Sequence, residues 1–189
     1  MRNKGLEPFS NLVDAFGALP GIGEKSALKL AYHIATGGAY DGIKLSHAIE
    51  QAVESIQRCS RCNNLSQDEL CDICSDELRE SSKVCIVESA KDILTIEKLG
   101  QYNGRYYVLS DIDTFDLVHL REALKDAREL IFAFAPSIAS DTMMLYIESQ
   151  LEDLSLTFTK IAQGVPTGIS LESVDTLSLA RAIEDRVTL

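Results

Sequence analysis

The sequence predicts a multidomain α/β chain: a helical unit first, a small metal knuckle next, then a parallel α/β domain, and a loop with one helix at the end. Three observations carry this. Apolar residues recur at helical spacing through the first 56 positions, interrupted by a Pro-Gly-Ile-Gly corner. Four cysteines follow in a C-x2-C, x8, C-x2-C pattern. Beyond Ser82, short apolar runs alternate with helix-periodic segments, the rhythm of crossovers in a parallel sheet covered on both faces.

Each element follows in order. Phe9 to Leu19 reads as a helix, with Ser10 placed to cap it and Leu12, Val13, Phe16 and Leu19 on one face; Pro20 ends it. A second helix runs from the corner to about Ile34, and "TGGAYDG", Thr36 to Gly42, reads as a loop. The third helix carries Leu45, Ala48, Ile49, Ala52, Val53 and Ile56 on one stripe and leads straight into the cysteines. "KVCIVE", "RYYVLS", "ELIFAFA" and "LTFTKIA" are the strands. Between them lie "SAKDILTIEKLG", with Ser89 and Asp92 set for a capping box and Gly100 as terminator, a helix through Leu117, Leu120, Ala123 and Leu124, and "SDTMMLYIESQLED". The boundaries are 1–56 for the helical unit, 57–80 for the knuckle, 81–163 for the α/β domain and 164–189 for the terminal loop and helix.

With 46% hydrophobic and 25% charged residues over 189 positions, the composition is that of an ordinary folded soluble chain. No apolar run reaches the roughly 18 residues that span a bilayer, and "MRNKGLEPFSNL" lacks a continuous apolar signal region, so a cytoplasmic location is expected. The net charge of −11 speaks against a general nucleic-acid binder, but it is unevenly spread. Residues 1–58 are net 0, residues 59–82 net −4 and residues 83–189 net −7. Any contact with DNA is therefore local to the helical unit, modest and salt-sensitive.

Cys59, Cys62, Cys71 and Cys74 carry the strongest chemical signal. Each C-x2-C closes a tight turn that aims two thiolates at one point, and the eight-residue spacer folds the two pairs together. Four sulfurs make the closed tetrahedral set that zinc favours, with no position left for water, so one structural zinc ion is expected. The alternatives are two disulfides or free thiols, and disulfides need an oxidising compartment. Cys85, within "KVCIVES", reads as a buried strand residue.

The corner "LPGIGEKSALKL" carries the second signal. A helix starting after Gly21-Ile22-Gly23 leaves amide groups unpaired at the turn, and the two glycines let a phosphate approach them. Lys25 and Lys29 sit four apart, on one face beside that terminus, where lysine opposes the helix dipole unless an anion is bound. Ile22 serves as a wedge or a packing residue. The combination suits contact with a nucleic-acid backbone without regard to sequence; the plainer alternative is a helical hairpin whose lysines are merely solvated. His33 fits its helix C-terminus, while His47 and His119 lie on helices without an evident partner.

Helical hairpin, four-cysteine knuckle and alternating strand–helix domain, in that order, resemble the bacterial RecR recombination mediator family over nearly the whole chain. "LPGIGEKSALKLAYHI" is similar to its helix-hairpin-helix motif and "CSRCNNLSQDELCDIC" to its zinc finger. "VCIVESAKDILTIEKLGQYNGRYYVL" is similar to the opening of its Toprim domain, a Rossmann-like parallel α/β fold, and "IAQGVPTGISLESVDTLSLARAIEDR" to its C-terminal segment. The resemblance implies a DNA-repair factor without enzymatic turnover, assembled as a ring-like homotetramer around DNA. With RecO, and in many bacteria RecF, such a factor helps load RecA onto gapped single-stranded DNA coated with single-strand-binding protein. It further implies that Lys25 is the hairpin lysine, that Lys29 stands where the family usually carries arginine, that the four cysteines hold zinc, and that residues after the "GVPTG" turn take part in subunit contacts.

Two departures stand out. Toprim enzymes pair a glutamate after the first strand with a D-x-D after a later one to gather Mg²⁺. Glu88 matches the glutamate, yet Ala135-Pro136-Ser137 stands where the acidic pair would be, and Asp111 and Asp113 follow the second strand instead. The family's glycine-rich loop and its later acidic stretch are replaced by "LSDIDTFDLVHL" and "SIASDT", surfaces that in the family face neighbours or partners. The rivals to a mediator are a Toprim-type metal-dependent nuclease or primase-like enzyme, and a zinc-containing adaptor that binds proteins through its acidic faces and never touches DNA.

Overall fold

Small residues set the close approaches in the first of two units, Met1–Ile56, and apolar alternation builds the second, Gln57–Leu189. The computed structural model describes residues 5–109, 115–162, 165, 168 and 170–184.

In the first unit, α1 (Glu7–Gly17) begins before the expected start, with Pro8 in the first turn where a missing N–H costs nothing. Ser10 therefore lies inside the helix, donating its amide to the Leu6 carbonyl at 3.0 Å, and does not cap it. The helix also ends short of Pro20, at Gly17. α2 (Glu24–Thr36) packs on α1 through Ala27 and Ala31, both buried, with Gly17 closely opposite Ala27. α3 (Ala39–Ser55) takes in half of the expected loop, since only Gly37 and Gly38 make the turn, both donating to the His33 carbonyl. Gly42 reads as a breaker but is where α3 crosses α2: a β-carbon there would sit 2.8 Å from Ile34 Cγ2. The apolar stripe of α3 finds no core in this unit, for Leu45, Ile49 and Val53 remain exposed; Ile56, expected on the same stripe, lies just past the helix end in extended backbone and is exposed as well.

The second unit opens with a two-stranded antiparallel ribbon, β1 (Gln57–Arg58) and β2 (Leu65–Ser66), and the short helix α4 (Asp72–Ser75). The sheet follows: β3 (Glu80–Val87), β4 (Gly104–Val108), β5 (Glu129–Ala133) and β6 (Thr157–Lys160), all parallel in the order β4-β3-β5-β6. Crossovers are made by α5 (Ala90–Glu97), α6 (Leu117–Ala123) and α7 (Ile138–Gln150). β3 begins at Glu80 rather than Lys83, with an irregular register between Glu80 and Val84.

Side chains alternate along β3 as the pleat requires. Val84 and Ile86 face a cluster with Leu120, Leu124, Met143, Ile147 and Leu151 under α6 and α7. Cys85 and Val87 face a smaller cluster with Ile93 of α5. Cys85 is thus a buried strand residue, its thiol pushed up to about 12 by burial. The α5 boundaries are as read: the Ser89 amide donates to the Asp92 carboxylate at 2.8 Å, and Gly100 ends the segment at φ +63°. Asp116 caps α6 and Ser137 caps α7, placing the α7 start ahead of the expected Ser140. The tail comprises a 3-10 turn (Leu171–Ser173) and α8 (Thr176–Glu184). Among the described residues, no helix is long and apolar enough to cross a membrane.

Candidate metal centre and nucleic-acid interface

The four cysteines converge because two tight turns fold onto each other. Cys59 and Cys62 flank a knuckle in which the Asn63 amide donates to the Cys59 carbonyl at 3.0 Å, with Asn63 in the left-handed region at φ 60° that asparagine tolerates. Cys71 stands at the start of α4, where its carbonyl accepts from Cys74 at 2.9 Å. All four side chains are buried and their Sγ atoms lie within 4.8 Å of one another. A tetrahedral zinc ion with Zn–S bonds of ~2.3 Å needs sulfurs about 3.8 Å apart, and the Cys62 and Cys71 sulfurs are 3.6 Å apart. That spacing is no disulfide, whose S–S bond is about 2.05 Å, all four thiols are free, and the residues fit the metal: they form a single zinc-binding site.

Accepting hydrogen bonds from Cys62 and Cys74 holds the Cys71 thiol far below its ordinary value, while donation to Cys71 and Cys74, with burial, pushes Cys62 well up. The Cys71 amide also donates to Cys59 Sγ at 3.3 Å. A dication held by Cys59, Cys62, Cys71 and Cys74 would favour their thiolate forms, and with four protein ligands it would serve to hold the fold.

The knuckle is tied into the sheet. The Cys62 carbonyl accepts from the Val108 amide of edge strand β4 at 2.8 Å, and Ile73 packs against the α5-side cluster. His119 of α6, without an evident partner in the sequence, bridges the Ser60 carbonyl at 2.7 Å and the Tyr107 hydroxyl at 2.9 Å. A carbonyl only accepts, so Nε2 carries the proton and, in the neutral ring, Nδ1 accepts from Tyr107. A second tie escaped the sequence as well. Arg79 forms a two-pronged pair with Glu97, Nη1 to Oε1 at 2.9 Å, and the Tyr106 hydroxyl adds a bond to the same carboxylate at 2.7 Å. Nothing local in the sequence pairs residues 18 and 59 positions apart, as Arg79 with Glu97 and Ser60 with His119 are.

The corner lies wholly in the first unit. Gly21 adopts φ +81°, a conformation that favours glycine. Gly23 has an ordinary extended backbone at φ −81°, ψ 165°, and a β-carbon there would meet nothing within 4 Å. Neither conformation nor packing requires a glycine at 23. Gly23 is the N-cap of α2, with no side-chain cap, and its carbonyl accepts from Ala27 at 3.0 Å, so the amides of Glu24, Lys25 and Ser26 precede the first amide that donates within the helix. Ile22 is half-buried, while Lys25 and Lys29 are exposed; Glu24 shares the same first turn.

Glu88 is exposed directly after β3. Val87 pairs with Ala133 of β5, so the neighbouring strand end continues through Phe134 into Ala135, Pro136 and Ser137, and the Ser137 hydroxyl is spent capping α7. Asp111 and Asp113 lie outside the described residues. Among the described residues, the four cysteines are the one close group of three or more metal-ligating side chains.

Comparison with known proteins accounts for these parts together. Residues 9–53 match a family model described as "RecR, helix-hairpin-helix", and residues 56–76 match the four-cysteine zinc finger domain of RecR. Residues 82–162 match the "Toprim domain" and residues 164–187 "RecR, C-terminal". The chain is 54% identical over 186 residues to the recombination protein RecR of Nitratiruptor sp., covering 97% of this chain and 98% of that one. It is 48% identical over 188 residues to that of Campylobacter jejuni subsp. doylei, covering 98% and 99%, and 47% identical over 184 residues to that of Helicobacter pylori strain Shi470, covering 96% and 95%.

Proposed function

Since the chain belongs to the RecR family of recombination proteins, we propose that it is a DNA-binding mediator of recombinational repair that works by positioning, without turnover. The observation that carries this reading is Gly23, which neither the backbone conformation nor neighbouring atoms demand. An open approach to the amides of Glu24, Lys25 and Ser26, flanked by Lys25 and Lys29, is the chemistry that receives a phosphate of a DNA backbone. Gly21 sets the turn and Ile22 holds it from the side.

A module of net charge 0 over its first 58 residues grips DNA weakly. Several copies around one DNA multiply weak contacts through effective concentration. A ring-like homotetramer supplies those copies, and the exposed stripe of Leu45, Ile49 and Val53 supports burial of α3 in such an assembly. Residues 164–189 contribute further subunit contacts. The acidic surfaces recruit RecO, with RecF a further partner, and the assembly acts in the cytoplasm to load RecA on gapped DNA. Absence of turnover is supported by Ala135, Pro136 and Ser137 at the strand end beside Glu88, where a Toprim enzyme would carry its pair of aspartates.

The test is RecA filament formation on a gapped circle coated with single-strand-binding protein, with RecO present. Adding this chain should shorten the lag, the Lys25→Ala, Lys29→Ala variant should not, and no strand should be cut with Mg²⁺ present. An unchanged lag with the wild-type chain, or Mg²⁺-dependent scission lost on Glu88→Gln, contradicts the proposal.

A further inference from the structure

A cleft of about 530 Å³ opens between the metal knuckle and α6, lined among others by Arg61, Glu69, Arg105, Glu122, Lys125 and Asp126. Arg105 is the second residue of edge strand β4, on the same sheet face as Tyr107. Its Nε is shielded from solvent and has no hydrogen-bond acceptor among the described residues. A shielded donor without an acceptor carries a desolvation cost, while the residue as a whole is only half-buried and lines the cleft. Three carboxylates line the same cleft, and none bonds to Arg105 Nε. The other cations are engaged, Arg61 with the Cys74 carbonyl at 3.2 Å and Lys125 with Glu122 at 3.5 Å.

We infer that this cleft receives a carboxylate side chain of a protein partner, with Arg105 as its anchor, and that basic residues flanking that carboxylate meet Glu69, Glu122 and Asp126. The alternation of charge decides the class of ligand. A nucleic-acid strand would bring a run of phosphates against three carboxylates and a knuckle segment, residues 59–82, of net charge −4. A single acid between bases satisfies the Arg105 guanidinium, whose Nε lacks an acceptor, and the acidic rim together. The inference does not depend on the DNA contact at the corner, which lies in the other unit.

The experiment follows the side-chain Nε–Hε signal of Arg105 by NMR in the full-length zinc-loaded protein, assigned by its disappearance in Arg105→Lys. The probe is the capped tripeptide acetyl-Lys-Glu-Lys-amide. The expected result is a saturable shift of the Arg105 signal, with affinity about tenfold or more weaker for acetyl-Lys-Gln-Lys-amide, the loss expected for one charge-assisted hydrogen bond. The control peptide tests the idea on unmutated protein, so it stands even if Arg105→Lys folds poorly. Three results would overturn the inference: no shift with the peptide; equal shifts with the peptide and with sodium acetate or inorganic phosphate, meaning an adventitious ion only; or a shift with a single-stranded oligonucleotide and none with the peptide.

Discussion

At the scale of the residue, two glycines show how differently the same residue type can be demanded. Gly104 is fixed by packing: a β-carbon would fall 2.2 Å from the Tyr102 hydroxyl and 2.8 Å from the Lys83 carbonyl. Tyr102 is held there by its bond to the Arg105 carbonyl at 2.9 Å. Gly104→Ala should therefore lower the stability of the second unit by about 1–3 kcal/mol, the usual cost of overpacking, as read by urea denaturation. An unchanged midpoint would mean the strand and Tyr102 yield freely. Gly23 is demanded by neither packing nor conformation, and the phosphate contact proposed above is the role offered for it. Glu97 makes a third case. The Arg79 guanidinium holds its carboxyl below the ordinary 4.5, helped by the Tyr106 hydroxyl. A depressed carboxyl contributes stability above its unfolded value and loses it as pH falls through the lowered folded value. Wild type should thus exceed Glu97→Gln in stability by its full margin at neutral pH, and the margin should close in acid below 4.5. A margin independent of pH across that range would show that the charge on Glu97 contributes nothing.

At the scale of the element, what was legible in the sequence followed from local chemistry. The four strands, the capping box at Ser89 and the cysteine knuckle all announce themselves within short stretches of chain. The misplacements have separate causes. Gly42 sits inside α3 because Ile34 occupies the space of its missing side chain, and Ser10 is passed over as a cap because the helix already starts at Glu7. The tie of knuckle to sheet was invisible because it joins Cys62 to Val108 and Ser60 to His119 across the chain. That tie carries a prediction about metal removal. Chelation should unfold the knuckle, whose polar spacer holds little apolar core of its own, and expose the amide of Val108 to exchange. The amide of Ile86 should stay protected, since the larger core cluster under α6 and α7 contains none of the ligating cysteines. Loss of protection at Ile86 together with Val108 would mean that the metal supports the whole sheet.

At the scale of the whole molecule, the division of labour is one of charge. The first 58 residues are neutral while the rest of the chain carries all of the −11, so the part proposed to face DNA is the part least able to repel it. The acidic remainder holds the zinc knuckle, the parallel sheet and a cleft whose chemistry suits a protein. The family was readable from the order of motifs; what no motif could reveal was that α3 leaves its apolar stripe uncovered within its own unit, a property that emerges only once the helices are packed. The most direct measurement is binding to a gapped duplex across a salt series, for the wild-type chain beside Lys25→Ala, Lys29→Ala. If the corner grips phosphate, the double variant binds more weakly and its slope against log salt flattens by roughly 0.9 for each duplex phosphate that is no longer neutralised. Coincident curves for the two proteins would contradict it, and would make the corner a turn between helices and nothing more.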